Sequence, residues 1–393
     1  MQTTLEAWSS SVHQFTAEQA KEIAATGLAS IELDEPPASW RLVTESNVGV
    51  LDGGTWGLRV VPRLAVPRLM FLLGYAADPR GWRNSVAHFG RDRDFFVAIA
   101  SGFAYHAHRA LAPAPLRGYV TVEEQSPAFR GRLRVADQMA RTLPLPLEVT
   151  YDDYTADIPE NRMLRGATEL LLRMRRVPQA ARNRLLRIRA TLEDVAPATE
   201  PMEAPEITRL NERYAAALRL AELILSSASI TARHGEVASV GFVFDMNKVF
   251  ENFLSAALTE ALAPYGGAVR LQYGGRHLDR EQALKVIPDI TWWRRGRVRA
   301  IIDAKYKRLT DSRFPNADAY QMLAYCSAFR LPEGFLVYAR DAEQRSRLHH
   351  IDDNRFKIRV RAIDVERQPD AVLGQVHQLA KEIALGAPMA VAV

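Results

Sequence analysis

The chain of 393 residues is 48% hydrophobic and 25% charged, so it is long enough to bury two or three cores and is not a disordered protein. Its net charge is +5 and it has one cysteine, which excludes a disulfide framework and a cysteine-based zinc site and favours a reducing cytoplasm. No run approaches the ~20 apolar residues of a membrane helix, and the first residues lack signal-peptide features. These patterns predict a globular, cytoplasmic protein without membrane association.

Residues 1 to about 75 contain the short β-branched and apolar runs of a strand-rich region. The sequence Asp52-Gly53-Gly54 is typical of a hairpin turn. We predict a small twisted sheet or barrel here, with strands at 30–33, 40–44, 48–51 and 56–61. Helical periodicity then follows in residues 66–76 and 95–111.

The segment 118–141 is less regular. A strand-like run, YVTVEE, precedes a stretch that contains Phe129, Arg130 and Arg132 without an apolar periodicity that would bury them. Two interpretations remain open at this point, an extended finger and a plain surface loop. Beyond it, the patterns predict a strand at 147–151 and helices at 161–175, 178–193 and 206–228.

A helix that begins near Phe244 carries an apolar stripe with Glu251 at its flank, one turn before Leu254. The stretch 284–308 after it reads as a β-hairpin, with strands around 284–292 and 298–302 and a turn at Gly296. Alternation along the second strand places Asp303 and Lys305 on the same side. Pairing about the glycine brings Asp289 near Asp303. We therefore predict two carboxylates and one ammonium in one small patch, which is suited to a metal ion.

A further helix, 317–329, carries Gln321 and Tyr325 four residues apart and therefore on one face. Strands at 334–339 and 357–363 and a helix at 372–384 complete the predicted elements. Hard carboxylate oxygens hold Mg²⁺, which activates water and polarises phosphate. An ammonium beside the metal offsets charge in the transition state. No lysine occurs between Lys21 and Lys248, so Lys305 is notable in a chain whose basic residues are mostly arginine.

The order Glu251, Asp289, Asp303, Lys305, Gln321 and Tyr325 resembles the PD-(D/E)xK nucleases of the QxxxY subgroup. More narrowly, the chain resembles McrC, the nuclease subunit of McrBC modification-dependent restriction systems. This resemblance is carried by FDMNKVFENF (244–253), IPDI (287–290), IIDAKYK (301–307) and DAYQMLAY (318–325), with weaker likeness at 56–63, 129–133 and 157–165.

The resemblance implies a multidomain fold of the α+β or α/β class, divided into three consecutive segments. Residues 1–145 would form a β-rich domain that engages an AAA+ partner, and residues 146–232 a helical connecting region. Residues 233–393 would form a PD-(D/E)xK restriction-endonuclease-like domain with a mixed sheet flanked by helices. From the pattern of elements we expect this last segment to complete its own sheet and fold alone.

The resemblance also assigns roles. It implies a Mg²⁺-dependent endonuclease, with Mn²⁺ as a substitute, that cuts double-stranded DNA and stimulates an McrB-like AAA+ GTPase ring that reads methylated cytosine. The implied residues are catalytic Asp289, Asp303, Lys305, Gln321 and Tyr325, metal-binding Glu251, Asp289 and Asp303, and partner-binding Phe129, Arg130 and Arg132.

The sequence contains no G-x-x-x-x-G-K-[ST] motif, so we expect any nucleotide-driven motor to come from a partner. Two alternatives stay open. One is a RecB-like or junction-cutting nuclease that works without a motor. The other is a non-catalytic scaffold whose nuclease fold only binds DNA. The long region before residue 233 argues against the first, and the presence of Asp289, Asp303 and Lys305 together argues against the second.

Overall fold

The computed structural model describes residues 2–35, 39–77, 79, 94–198, 205–233, 236–307, 315–340, 347–351 and 355–386. The chain divides into two compact units. The large unit comprises residues 1–51, 55–95 and 243–393, and the middle unit comprises residues 52–54 and 96–242. These units do not coincide with the three consecutive segments predicted from the sequence, because the first 95 residues pack with the end of the chain.

The N-terminal part of the large unit is strand-rich, as predicted. Its elements are β1 Gln2–Glu6, β2 Ser10–Gln14, α1 Ala17–Thr26, β3 Ser30–Glu35, β4 Ser39–Val43, β5 Asn47–Asp52, β6 Gly57–Val61 and α2 Val66–Ala77. Strands β2, β4 and β3 form an antiparallel sheet in that order, while β1 pairs in parallel with β6. The sequence analysis missed α1, whose N-terminus is a capping box between Thr16 and Gln19.

The C-terminal part of the large unit contains a six-stranded mixed sheet, in the order β12-β15-β16-β17-β19-β18. Strands β16, β17 and β19 are parallel, and the remaining pairs are antiparallel. The strands are β12 Ala268–Leu271, β15 Ile290–Arg294, β16 Arg297–Lys305, β17 Glu333–Arg340, β18 Arg347–Ile351 and β19 Phe356–Asp364. A separate short pair is formed by β13 Arg276–His277 and β14 Lys285–Val286.

The hairpin at the centre of the sequence analysis is present, with one correction. The first predicted strand is divided into β14 and β15, because Pro288 between them has no N–H to donate to a sheet. The turn from β15 to β16 uses Arg295 and Gly296, both with positive φ, as two-residue hairpin turns require. Ile290 then pairs with Ile302, so Asp289 lies opposite Asp303 as predicted.

Three helices accompany this sheet, namely α8 Met246–Leu262, α9 Asn316–Phe329 and α10 Pro369–Gly386. Helix α9 buries Met322 and Cys326 in a core with Ile301 of β16 and Leu336 of β17. Its close approach depends on Gly334, where a Cβ would lie 2.2 Å from the Met322 sulfur. Because Asp303 and Lys305 share the side of β16 that carries Ile301, α9 presents its polar residues to them.

Helix α8 packs against α2 of the N-terminal part. The Phe253 ring lies 5.4 Å from the ring of Phe71 and 5.6 Å from that of Tyr75. At the point where the chain leaves and re-enters the large unit, the rings of Phe95 and Phe244 are 4.7 Å apart. Residues 233–393 do contain a complete six-stranded sheet, as expected. However, α8 shares its aromatic core with residues before 95, which argues against the expectation that this segment folds alone.

The middle unit combines helices with an antiparallel sheet in the order β7-β9-β8. Its elements are α3 Phe95–Leu111, β7 Gly118–Ser126, β8 Arg132–Leu133, α4 Val135–Met139, β9 Leu147–Thr155, α5 Pro159–Arg173, α6 Gln179–Thr191, α7 Ala215–Ser227, β10 Ala228–Arg233 and β11 Glu236–Asp245, the last of which ends in the large unit. The helix predicted from residue 206 begins as α7 only at Ala215, after a short 3₁₀ turn. Within the described ranges, no helix has the length and apolar character needed to cross a membrane.

Of the two interpretations left open for residues 118–141, the structure shows the extended finger. Strands β7 and β9 pair along their whole length, from Gly118 with Thr155 to Ser126 with Leu147. Strand β8 and the short helix α4 lie between them in sequence. Gly131 enables β8 to return against β9, because its φ is +69° and a Cβ there would lie 2.3 Å from the Thr150 carbonyl oxygen.

Candidate active site

Four predicted site residues are connected across the sheet and α9. The Lys305 ammonium lies 2.7 Å from a carboxylate oxygen of Asp303 and donates to Gln321 Oε1 at 3.1 Å. The Gln321 amide nitrogen donates to the Tyr325 hydroxyl at 2.8 Å, which in turn donates to the Ile287 carbonyl at 3.0 Å. The structure therefore brings the hairpin and the following helix together at one place.

Asp289 lies immediately before β15 and faces β16. One of its carboxylate oxygens accepts a hydrogen bond of 2.9 Å from the backbone N–H of Ala304. The other is 3.3 Å from the side-chain nitrogen of Gln272, and the Gln272 backbone N–H donates to the Asp289 carbonyl at 3.0 Å. The Asp289 carboxylate is therefore held between Ala304 of β16 and Gln272, which follows β12.

Glu251 approaches the same place from α8. Its carboxylate accepts a short hydrogen bond from the Gln272 amide, so one side chain bridges Glu251 and Asp289. The sequence analysis did not identify Gln272. Gln272 lies just after the edge strand β12, outside any periodic pattern. Its positive φ of 47° is one that its residue type does not favour, so no sequence pattern signals its position.

Asp303 is the most buried charge of the site, with a relative exposure of 1%. Its charge is balanced by the Lys305 ammonium, 2.7 Å from one carboxylate oxygen, and within the described part of the chain no hydrogen bond from another group reaches either oxygen. Burial raises the pKa of the Asp303 carboxyl well above its usual range, the negative charge of Asp289 raises it further, and Lys305 opposes both. A buried carboxylate that has one ammonium as its partner and a second carboxylate beside it favours a bound cation.

The neighbouring groups respond to the same negative charge. Burial and then the charge of Asp289 raise the pKa of Glu251, against the hydrogen bond from Gln272. Burial opposes the charged form of Lys305, but Asp303, Asp289 and Asp318 together outweigh it and the pKa of Lys305 is raised. Burial, with the charge of Asp303, raises the pKa of Tyr325 to about 12. Lys305 therefore stays a cation and Tyr325 a neutral hydroxyl.

A second buried carboxylate, that of Asp318 in the first turn of α9, was not identified from the sequence. It accepts hydrogen bonds from Lys307 at 2.8 Å and from the Tyr338 hydroxyl at 2.6 Å. Its charge also contributes to raising the pKa of Lys305. Asp318 therefore ties α9 to strands β16 and β17 and helps to keep the Lys305 ammonium charged.

The donor set fits a hard divalent cation in its chemistry, because Asp289 and Asp303 supply carboxylate oxygens and the one contact given for the Asp303 carboxylate is its ion pair with Lys305. Among the residues that the structure describes, however, no group of three or more His, Cys, Asp or Glu side chains is arranged to hold one metal ion. The predicted set of three ligands, Glu251, Asp289 and Asp303, is thus not assembled here. The Gln272 amide lies between the first two.

The three residues predicted to bind a partner lie on the finger of the middle unit. Phe129 is 65% exposed, and Arg132 is exposed on β8. Arg130 is more constrained than the sequence indicated, because its guanidinium lies 4.1 Å from the centre of the Tyr151 ring and 3.7 Å from a carboxylate oxygen of Asp153. The finger therefore presents an aromatic ring and two arginine side chains, of which one is held in place.

The chain was compared with known proteins. The sequence profile of the family described as McrBC 5-methylcytosine restriction system component matches residues 42–339. No curated protein matches.

Two solved structures are similar to the chain. One is a chain of a half-complex from a tetradecameric assembly of Thermococcus gammatolerans McrB AAA+ hexamers with bound McrC, with a TM-score of 0.58 at 16% identity, over 96% of this chain and 100% of that one. The other is a chain of the Thermococcus gammatolerans McrBC complex, with a TM-score of 0.41 at 19% identity, over 68% and 90%. The first likeness shows a shared fold. Since the profile covers more than half of its sequence, the protein belongs to the family of McrBC 5-methylcytosine restriction system components.

Proposed function

We propose that this chain is a metal-dependent endodeoxyribonuclease of the PD-(D/E)xK type, which cuts double-stranded DNA as the nuclease subunit of a modification-dependent restriction complex. The observation that carries the proposal is the buried carboxylate of Asp303, which is ion-paired with the Lys305 ammonium at 2.7 Å and lies close to Asp289. Burying a carboxylate and an ammonium together has a large desolvation cost, which marks such a pair as a candidate functional site. Membership of the restriction family supports DNA as the substrate.

Asp303 and Asp289 would hold Mg²⁺ or Mn²⁺, which when bound polarises a phosphate oxygen and lowers the pKa of a bound water. The Lys305 ammonium orients the attacking water and offsets the negative charge that develops on the phosphate. Gln321 accepts a hydrogen bond from Lys305 and so fixes the direction of the ammonium. Tyr325 in turn anchors Gln321 to the backbone at Ile287.

Lys305→Arg is expected to reduce cleavage about a hundredfold or more although the charge is kept. A planar guanidinium is larger than an ammonium and cannot stay both 2.7 Å from Asp303 and 3.1 Å from Gln321 in the same geometry. Cleavage of methylated plasmid DNA with Mg²⁺ and the cognate partner measures the effect. Lys357→Arg, on β19, is the matched control and should cut at the wild-type rate. Wild-type cleavage by Lys305→Arg would make the lysine incidental and remove it from the mechanism.

We further propose that the chain acts with an AAA+ GTPase ring of the McrB kind. Two observations support this: the family to which the chain belongs, and its shared fold with a chain from a complex of McrB hexamers with bound McrC. The chain itself has no P-loop motif, so nucleotide hydrolysis would belong to the ring. The finger, with its exposed Phe129 and its arginines, is the surface that we assign to the ring and to stimulation of its GTPase.

The triple variant Phe129→Ala, Arg130→Ala, Arg132→Ala is expected to weaken binding to the ring and to remove most of the GTPase stimulation, because exposed aromatic and arginine anchors often contribute about 2 kcal/mol or more each. GTP hydrolysis by the cognate ring, measured against the concentration of this chain, reports both effects. The stability of the fold should be unchanged, since none of the three side chains is buried.

A matched control replaces one exposed leucine and two exposed arginines on α6, in Leu186→Ala, Arg187→Ala, Arg189→Ala. This control loses the same charge and one apolar side chain in the same unit, and it should stimulate the GTPase as the wild type does. If the finger variant stimulates as well as this control, the finger is not the surface that reaches the ring. A chain that cuts unmodified DNA at full rate without any ring would instead favour the motorless nuclease.

A further inference from the structure

The side chain of Gln272 lies where two carboxylates of the candidate active site meet. Its amide nitrogen donates to Glu251 Oε1 and lies within hydrogen-bond distance of Asp289 Oδ1, at 3.3 Å. The backbone reinforces this position, because the Gln272 N–H donates to the Asp289 carbonyl at 3.0 Å. Its φ of 47° is uncommon for a residue with a long side chain. The fold thus directs this amide toward the two acidic groups.

An amide group offers two donors on nitrogen and an acceptor on oxygen. Both neighbours here are carboxylates, so the nitrogen is the end that faces them. The amide therefore does for these two carboxylates what a cation would do, since it supplies positive hydrogen atoms between them.

We propose that Gln272 is a positioning residue whose amide competes with the divalent cation. The amide holds Glu251 and Asp289, and it would have to turn away before both carboxylates could ligate a metal together with Asp303. The inference rests on the proposed nuclease function. It accounts for the absence of a three-carboxylate metal cluster among the described residues, although all three predicted carboxylates lie next to one another or to Gln272.

The test measures metal affinity in the full-length chain, without DNA or partner. Mn²⁺ is titrated into wild type and into Gln272→Leu, and the free Mn²⁺ is followed by electron paramagnetic resonance. Leucine is of similar size but has no donor, so the competition is lost and the dissociation constant for Mn²⁺ is expected to fall about tenfold, as expected for the loss of hydrogen bonds to charged groups. The matched control is Gln282→Leu, an exposed glutamine with a φ of 59°, which should bind Mn²⁺ as the wild type does.

Two further variants make the outcome decisive. Asparagine at position 272 is too short to reach both carboxylates and suits a positive φ. Gln272→Asn should therefore also bind Mn²⁺ more tightly than the wild type, and it replaces Gln272→Leu in the test if that variant fails to fold. Asp303→Asn tests the proposed function separately, because it should abolish the Mn²⁺ site in either background. Unchanged or weaker Mn²⁺ binding by both Gln272 variants overturns the competition, and weaker binding would mean that the amide supports the metal. Mn²⁺ binding that survives Asp303→Asn would count against the nuclease site itself.

Discussion

Asp303→Asn is expected to lower the rate of DNA cleavage about a thousandfold or more, because an amide cannot replace the charge of a metal-binding carboxylate and metal assistance contributes several kcal/mol to such reactions. The side chain of Asp303 is 1% exposed. One of its carboxylate oxygens lies 2.7 Å from the Lys305 ammonium, and Asp289 is close enough to raise its pKa. Asparagine keeps the shape of the side chain. The measurement is plasmid cleavage with Mg²⁺ and the cognate ring, at equal amounts of folded protein.

The same substitution should also change how stability depends on pH. The pKa of Asp303 is raised from 3.8 to about 7 in the folded protein, so this carboxyl lowers the free energy of unfolding as the pH rises over that range. Asp303→Asn cannot ionise, so its thermal midpoint should vary less over the same pH range than that of the wild type. Normal cutting by a folded Asp303→Asn protein would refute the assignment of the site.

Residues 233–393 alone are expected not to fold cooperatively. Helix α8 buries Phe253 completely, and its ring contacts are with Phe71 and Tyr75 of α2, which the fragment lacks. The same contact predicts that Phe253→Ala in the full chain lowers the free energy of unfolding by about 3–5 kcal/mol. Circular dichroism during thermal and denaturant unfolding measures both effects.

Phe129→Ala is the matched control for this loss, because it removes the same side chain from an exposed position and should change stability by no more than about 0.5 kcal/mol. A fragment 233–393 with a sharp unfolding transition and native-like protection of α8 would show that α2 is dispensable. The result also determines how the proposed DNA cleavage and the proposed GTPase stimulation can be separated experimentally. Variants of the finger are suited to that purpose, whereas deletion of the N-terminal residues would damage the unit that carries the candidate active site.

The carboxylate pair and its lysine were predictable because a hairpin has few degrees of freedom. Alternation fixed the side of Asp303 and Lys305, and a two-residue turn at Gly296 set the pairing that brings Asp289 opposite. The spacing of Gln321 and Tyr325 placed them on one face of α9. Each of these relations is local, so the sequence pattern alone determines it.

The missed features depend on contacts between distant parts of the chain. The apolar face of α8 was recognised, but periodicity does not identify α2 as the element that covers it. Gln272 became part of the site only through its left-handed backbone after β12, which no pattern of residue types signals. Asp318 likewise resembled an ordinary helix N-terminal acid, and its role follows only from the positions of Lys307 and Tyr338.

The packing of α2 against α8 also affects when the large unit can finish folding during synthesis on the ribosome. Helix α2 emerges early, and the whole middle unit is synthesised before α8 becomes available to cover the apolar surface around Phe71 and Leu72. The middle unit is almost continuous in sequence, so we expect it to fold before the large unit, which must close a long loop. An incomplete translation product would then carry the finger without the candidate active site, and it would leave the apolar face of α2 uncovered.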